Sequence, residues 1–235
     1  MEIKKSINSK NFLFCIATVI LSFILGYILL VSVDKIEDVT LQQLFFSVYT
    51  VFTQFGMMLF TIVIIYSINV DYKEKNILFY KAIGINSKQY FLRNLGVMLL
   101  WFSVALIIVI STVCIIYNNF SLFGVMFIYF ENAIIYIILM ASLLAFMFKN
   151  ILVSYCMNIL LWISSIVILA IFPNQHYIAY FDASNIVYLN LEKYLGTNNS
   201  SYLALWQSSL YNLVVFAIIF GLVCIFSKRW VKNGI

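Results

Sequence analysis

Side chains able to do acid–base, nucleophilic or metal chemistry are few and scattered in this chain. Its single histidine, His176, follows the single proline, Pro173, in a polar stretch. A lone histidine there reads as a solvated or aromatic-packed residue rather than a ligand or proton relay. The four cysteines, Cys15, Cys114, Cys156 and Cys224, fall in four different apolar runs and form no CxxC pair. Each therefore behaves as a small hydrophobe, not as half of a disulfide or metal site. Zinc needs several His, Cys or carboxylate ligands in register, and no such set occurs. The eight glycines are dispersed, with no Gly-Lys-Ser/Thr triplet and no GxSxG. Neither a phosphate loop nor a nucleophile elbow is present. One acid, Glu131, lies within an apolar run. A carboxyl in hydrocarbon is expensive and marks a functional position by default. The plainer reading puts Glu131 at the outer edge of a helix that starts near Asn132, with residues 119–130 interfacial. Gln54, Asn158 and Asn212 are further polar groups in apolar runs, whose ordinary role is hydrogen bonding between helices. Ala141 and Ala145 form a small-xxx-small pair that allows close helix approach.

The elements that must position these residues follow from composition. Of 235 residues 64% are hydrophobic and 10% charged, against about 25% charged in soluble domains. A water-soluble fold has to face much of its side-chain area to solvent, so this chain needs lipid as its solvent. The apolar stretches are continuous and do not alternate, which favours helices over barrel strands. About 20 apolar residues cross a bilayer as a helix, and six runs are long enough: 12–33, 44–70, 95–117, 122–148, 151–172 and 209–226. The first is too long for a cleavable signal sequence, and no small-residue cleavage site precedes its acidic loop. We expect an all-α membrane protein with one transmembrane domain over residues 1–235.

Charge orients the bundle. Lys4, Lys5 and Lys10 precede the first span; Lys73, Lys75, Lys81, Lys88 and Arg93 separate the second and third. Lys149 joins the fourth and fifth, and Lys228, Arg229 and Lys232 follow the sixth. Twelve of the fourteen basic residues thus fall on one side, and only Lys35 and Lys193 on the other. The excess of Lys and Arg on cytoplasmic loops predicts both termini inside. The net charge of +5 is a topology signal, not a nucleic-acid-binding face. Two connections are long. Residues 71–94 mix charge with Ile77, Leu78, Phe79 and Tyr80, with Gly84 as a stop, and predict a short amphipathic helix leading into the third span. Residues 173–207 carry Tyr177, Tyr180, Phe181, Tyr188, Tyr194, Tyr202 and Trp206 around a polar Gly196–Asn199 turn. Such aromatics favour the headgroup zone, so this segment reads as outer interfacial helices.

The run from Tyr72 to Tyr90 resembles the first cytoplasmic loop of type-2 ABC exporter permeases. That loop reads as basic-Glu-basic-Gly-Thr, then apolar residues, then a Pro-Ile-Ser-Arg-like turn. Glu74 matches the acid, Ile77–Ile83 the apolar stretch, and Ile85-Asn86-Ser87-Lys88 the turn; Asn76, Ile77 and Gly84 replace the Gly, Thr and Pro. The short amphipathic start, six spans, long outer segment and basic tail resemble the same family from end to end. The resemblance implies a coupling helix that docks in a groove of a separate ATP-binding subunit, with Lys73, Glu74, Lys75, Ile77, Leu78, Phe79 and Lys81 as contact groups. It also implies a dimer of permeases, identical or homologous, that encloses the path. ATP and magnesium would be bound by the partner and no cofactor by this chain.

The expected function is therefore the membrane half of an ATP-driven exporter in the bacterial cytoplasmic membrane. Its cargo would be a hydrophobic or amphipathic peptide, for secretion or self-immunity. Gln54, Phe55, Met58, Glu131 and Trp162 are the candidate path residues, with Phe52 and Met57 beside them, since Met-rich walls adapt to apolar cargo. The rivals are an immunity or sensor protein that works without an ATPase, an intramembrane enzyme that lacks paired catalytic groups, and a six-helix vitamin-capturing subunit.

Overall fold

In hydrocarbon only a helix satisfies the N–H and C=O groups of a single segment without a neighbour, and the long apolar runs obey that rule. The computed structural model describes residues 2–74, 76–172 and 174–232, and among them the regular structure is helical, without strands. A short α1 (Glu2–Asn8) precedes α2 (Asn11–Ser32). There follow α3 (Leu41–Gln54), α4 (Gly56–Lys73), α5 (Asn76–Ala82), α6 (Ser87–Ile116), α7 (Phe123–Met147), α8 (Ile151–Ile171), α9 (Ile186–Thr197) and α10 (Leu205–Lys232). α2, α6, α7, α8 and α10 are each long and apolar enough to cross a membrane. α3 with α4, bent by 58° at their junction, pass the same test only as a pair, as a broken span or a re-entrant loop. The chain is a multi-pass membrane protein.

The helix limits have local causes. Thr40 and Asn86 cap α3 and α6 through reciprocal capping boxes with Gln43 and Gln89, each satisfying two otherwise orphaned donors. Asn150 and Asn185 cap α8 and α9 by accepting from Leu152 and Val187 N–H. After α5 the backbone turns through Gly84 at φ +80°, a conformation that glycine adopts at no steric cost.

The bend replaces the straight second span expected over 44–70. Phe55 ends α3 and begins α4, and Gly56 then lies so close to α7 that a Cβ there would stand 2.8 Å from Ile137 Cδ1. Kinks form readily at glycine, and this one lets both halves of the span pack on α7. α7 is the axis of the bundle, touching α3, α4, α6, α8 and α10. It is also the most buried span, whereas α8 keeps most of its surface free. Phe23, Phe45, Phe52 and Phe130 fill the space beside α7, with Phe52 and Phe130 centroids 4.7 Å apart. α2 and α3 approach at Gly26, where Ser47 Oγ donates to the Gly26 carbonyl at 2.8 Å.

Polar residues inside the spans tie helices together. Asn158 donates to Thr61 Oγ1 (3.0 Å), joining α8 to α4. Asn212 donates to the Asn132 carbonyl and side-chain oxygen (2.8 and 3.0 Å), joining α10 to α7. Ala141 and Ala145 are fully buried in α7.

Candidate functional site

α4 ends in Asn69-Val70-Asp71-Tyr72-Lys73, and Asp71 is only 1% exposed. A carboxylate so deeply buried needs an opposite charge and donors for its lone pairs. Both are supplied by other helices, the charge from 66 residues away. Lys5 of α1 forms an ion pair with Asp71 Oδ1. Tyr90 of α6 donates its hydroxyl to Oδ2 at 2.6 Å, and Asn76 of α5 donates to Oδ1 at 3.2 Å. The Lys5 ammonium also lies 5.6 Å from the centroid of the Tyr80 ring. Tyr80 packs on Tyr90 at 5.1 Å, and Tyr90 on Phe146 of α7 at 5.6 Å. One carboxylate thus gathers α1, α4, α5 and α6 and, through aromatic contact, rests them on α7.

This clamp sets how α5 is presented. Tyr80 faces inward at 3% exposure, while Phe79 and Ile83 stand 55% and 48% exposed. Lys73 and Glu74 are exposed at the α4–α5 turn, where Asn76 donates to Glu74 Oε2 at 2.9 Å. Beside them an open groove of about 540 Å³ lies between the end of α4 and the α7–α8 turn, lined by Asn69, Tyr72, Lys73, Lys149, Asn150 and Ile151. Among the described residues no cluster of His, Cys, Asp or Glu could hold a metal ion. What the corner presents is a surface of the exposed Lys73, Glu74, Phe79 and Ile83. Of the residues assigned to contact the ATPase partner, Lys75 lies outside the described residues. Ile77, Leu78 and Lys81 fall on α5, and their side chains also lie outside the described residues.

The whole chain, residues 1–235, matches the family described as the peptide export permease protein YydJ family. The chain belongs to that family. It is 36% identical over 244 residues to the probable peptide export permease protein YydJ of Bacillus subtilis (strain 168), an alignment covering 100% of this chain and 99% of that relative. No solved structure matches it significantly. The YydJ-family assignment makes the chain a transport subunit of the membrane and agrees with the peptide-exporter resemblance read from its sequence.

At the end of this YydJ-family bundle opposite the clamp, a narrow cleft with room for little more than a water molecule lies among Phe52, Met57, Tyr136, Trp162, Phe181 and Asp182. Two predicted path residues meet there. Trp162 lines the cleft, and Gln54 donates at 3.1 Å to Asp182, a cleft-lining acid whose other oxygen accepts the Ser184 N–H at 3.0 Å. Phe55 and Met58 are 47% and 37% exposed on the outside of the bend. Glu131 lies away from the cleft, where Ser103 of α6 meets it at 2.5 Å. The five predicted path residues are therefore divided among three places. His176 is exposed, and its carbonyl accepts from Asn185 at 2.8 Å.

Sequence reasoning missed Asp71, Tyr90 and Lys5 as a unit, and Asp182 and Tyr136 as cleft residues. Asp71 carried a signal: an acid directly after an apolar run, with Tyr72 and Lys73 beside it, is the pattern of a buried helix end as well as of a loop.

Proposed function

We propose that this chain is the membrane-spanning subunit of an ATP-driven peptide exporter, powered by a separate nucleotide-binding subunit that docks on α5 and its flanks. Two permease chains, identical or homologous, would enclose the path, and the cargo would be an amphipathic or hydrophobic peptide. Family membership supports export of a peptide. The basic residues collected at the α5 end support a cytoplasmic position for that end and for both termini. A chain with no phosphate loop has to receive its work from elsewhere, and work is transmitted only through an element that cannot slip.

The observation that carries this reading is the Asp71 clamp. It fastens α5 to the ends of α4 and α6 at a buried carboxylate, so a push on Phe79 or Ile83 moves two spans together. Opening one face of a bundle and closing the other is how such rigid-body transitions work. The cleft at Trp162 and Asp182, in contact with the bend at Phe55, is where that movement would be felt by cargo.

The test is co-expression of the permease with a candidate ATP-binding subunit from the same organism and purification in lipid nanodiscs. Glu74→Arg with Phe79→Asp should abolish co-purification and permease-dependent ATPase activity while leaving the permease folded. Labelling of a cysteine placed at position 79 should occur only from the cytoplasmic side. Unchanged assembly and ATPase activity, or labelling from outside, would refute the docking role.

A further inference from the structure

The environment of Glu131 fixes where a proton lies. Ser103 Oγ stands 2.7 Å from the carbonyl of Leu99 one turn back in α6 and 2.5 Å from Glu131 Oε1 in α7. A hydroxyl has one hydrogen. One hydrogen shared between two acceptors makes two long, weak bonds. Both contacts here are as short as full O–H···O bonds, which fits two hydrogens between the three oxygens. The Leu99 carbonyl has none to give. The second hydrogen can come only from Glu131. An ionised Glu131 would leave the one Ser103 hydrogen to serve both the Leu99 carbonyl and the carboxylate, too few for two contacts this short.

A separate observation agrees. Glu131 Oε2 is buried and has no hydrogen-bond partner. A bare carboxylate oxygen in this setting costs far more than the carbonyl oxygen of a neutral acid. α7 begins at Phe123, so Glu131 sits about two turns inside a membrane-crossing helix, and the reading that put it at a helix edge does not apply.

We infer that Glu131 stands in the folded protein as a neutral carboxylic acid that donates its proton to Ser103 Oγ, making it a proton site and a carbodiimide-modification site at membrane depth. Ser103 passes its own hydrogen to the Leu99 carbonyl. Glu131 is then no anchor for a cationic group of cargo, because its negative charge is absent while α6 and α7 stay together. It holds a proton that is released only when water reaches the α6–α7 seam. None of this depends on what docks at α5.

Protonated acids in apolar surroundings react with hydrophobic carbodiimides. The carboxyl oxygen bonds to the central carbon of dicyclohexylcarbodiimide, the acid proton moves to one nitrogen, and the acyl group then migrates from oxygen to the other nitrogen. The resulting N-acylurea retains the whole reagent, and no oxidant or reductant is needed. The permease in lipid vesicles, treated with this reagent and mapped by mass spectrometry, should gain one reagent mass on Glu131, and Glu131→Gln should gain none there. The infrared difference spectrum of wild type minus Glu131→Gln should show a carboxylic-acid C=O band. Ser103→Ala, which keeps the acid, should shift that band to higher frequency as its hydrogen bond is lost. A carboxylate band in the difference spectrum would overturn the neutral acid. An acid band without labelling at Glu131 would overturn the modification site.

Discussion

The two ends of this bundle are held by opposite chemistry. At the α5 end a single buried carboxylate collects a lysine, a tyrosine and an asparagine from three other helices. At the far end the segment after α8 is held mainly by aromatic contacts, with the Gln54–Asp182 and Thr50–Tyr188 hydrogen bonds beside them and no ion pair among the described residues. Tyr180 stacks on Tyr211 of α10 at 4.2 Å, Phe181 packs on Tyr136 at 5.4 Å, and Tyr188 of α9 lies 4.9 Å from Phe46 of α3. Aromatic faces slide over one another at small cost, whereas a buried ion pair has one good geometry and a steep penalty elsewhere. The difference teaches where rigidity is needed. The end that would receive work is locked, and the end that would open to cargo is lined with surfaces able to repack.

The largest effect is expected from breaking the lock on one side. Lys5→Met leaves the Asp71 carboxylate buried with neutral partners alone, which costs about 3–5 kcal/mol for a buried pair. The low end applies, because the Lys5 side chain keeps 37% exposure. Thermal unfolding of the detergent-solubilised permease should show a clear drop in midpoint. Lys5→Met with Asp71→Leu should recover most of that loss, since an apolar pair in place of a buried ion pair is often neutral. If the double variant is no better than the single, Asp71 is not held by Lys5. In the complex, the same double variant should still fold yet uncouple ATPase activity from transport.

Next in size is Gly26→Ala, which tests how far the other half of the molecule depends on close steric fit. The added Cβ would lie 2.6 Å from Val48 Cγ2 and 2.9 Å from the Val48 Cα. Backbone cannot give way as a side-chain tip can, so overpacking of about 1–3 kcal/mol is expected. α3 would be pushed from α2, and with it the platform on which α9 rests. A drop in unfolding midpoint comparable to that of Lys5→Met would show that the two ends share their stability.

The helices and their order were legible because the bilayer imposes a length that continuous apolar runs either meet or fail. A helix in the segment after α8 was expected from its aromatics, and α9 forms there. The kink at Phe55 was not, because Gly56 inside an apolar run looks like any tolerated glycine until Ile137 of α7 is seen against it. Glu131 left two readings open, which the start of α7 at Phe123 decides. The short helix α5 was readable from its mix of charged and apolar residues, but not that Tyr80 turns inward while Phe79 stands exposed. What fastens it was not readable either, because the partners of Asp71 come together from α1, α5 and α6 only in the folded bundle. Local composition treats an acid beside Tyr72 and Lys73 as loop. The path residues scattered for the same reason: Gln54 and Trp162 meet through Asp182, which belongs to a segment more than a hundred residues after Gln54.

The smallest effect separates the two ends most cleanly. Tyr188 shares a 2.6 Å hydrogen bond with Thr50, and Tyr188→Phe keeps the ring while removing that bond, for a loss of about 1 kcal/mol. Burial pushes the Tyr188 phenol above its ordinary value of 10.0. Because the raised value belongs to the folded state, the phenol's contribution is complete below pH 10 and fades as pH climbs through the folded value. Wild type should therefore lose stability above pH 10 more steeply than Tyr188→Phe, and the two should run parallel from pH 6 to 9. Protease nicking of the α9 segment follows local opening, so it should quicken about fivefold in Tyr188→Phe, the factor that 1 kcal/mol sets, while cleavage near α5 stays unchanged. Faster cleavage at both ends would mean that the aromatic cap and the charged clamp are one cooperative unit, and the division of labour between them would fail.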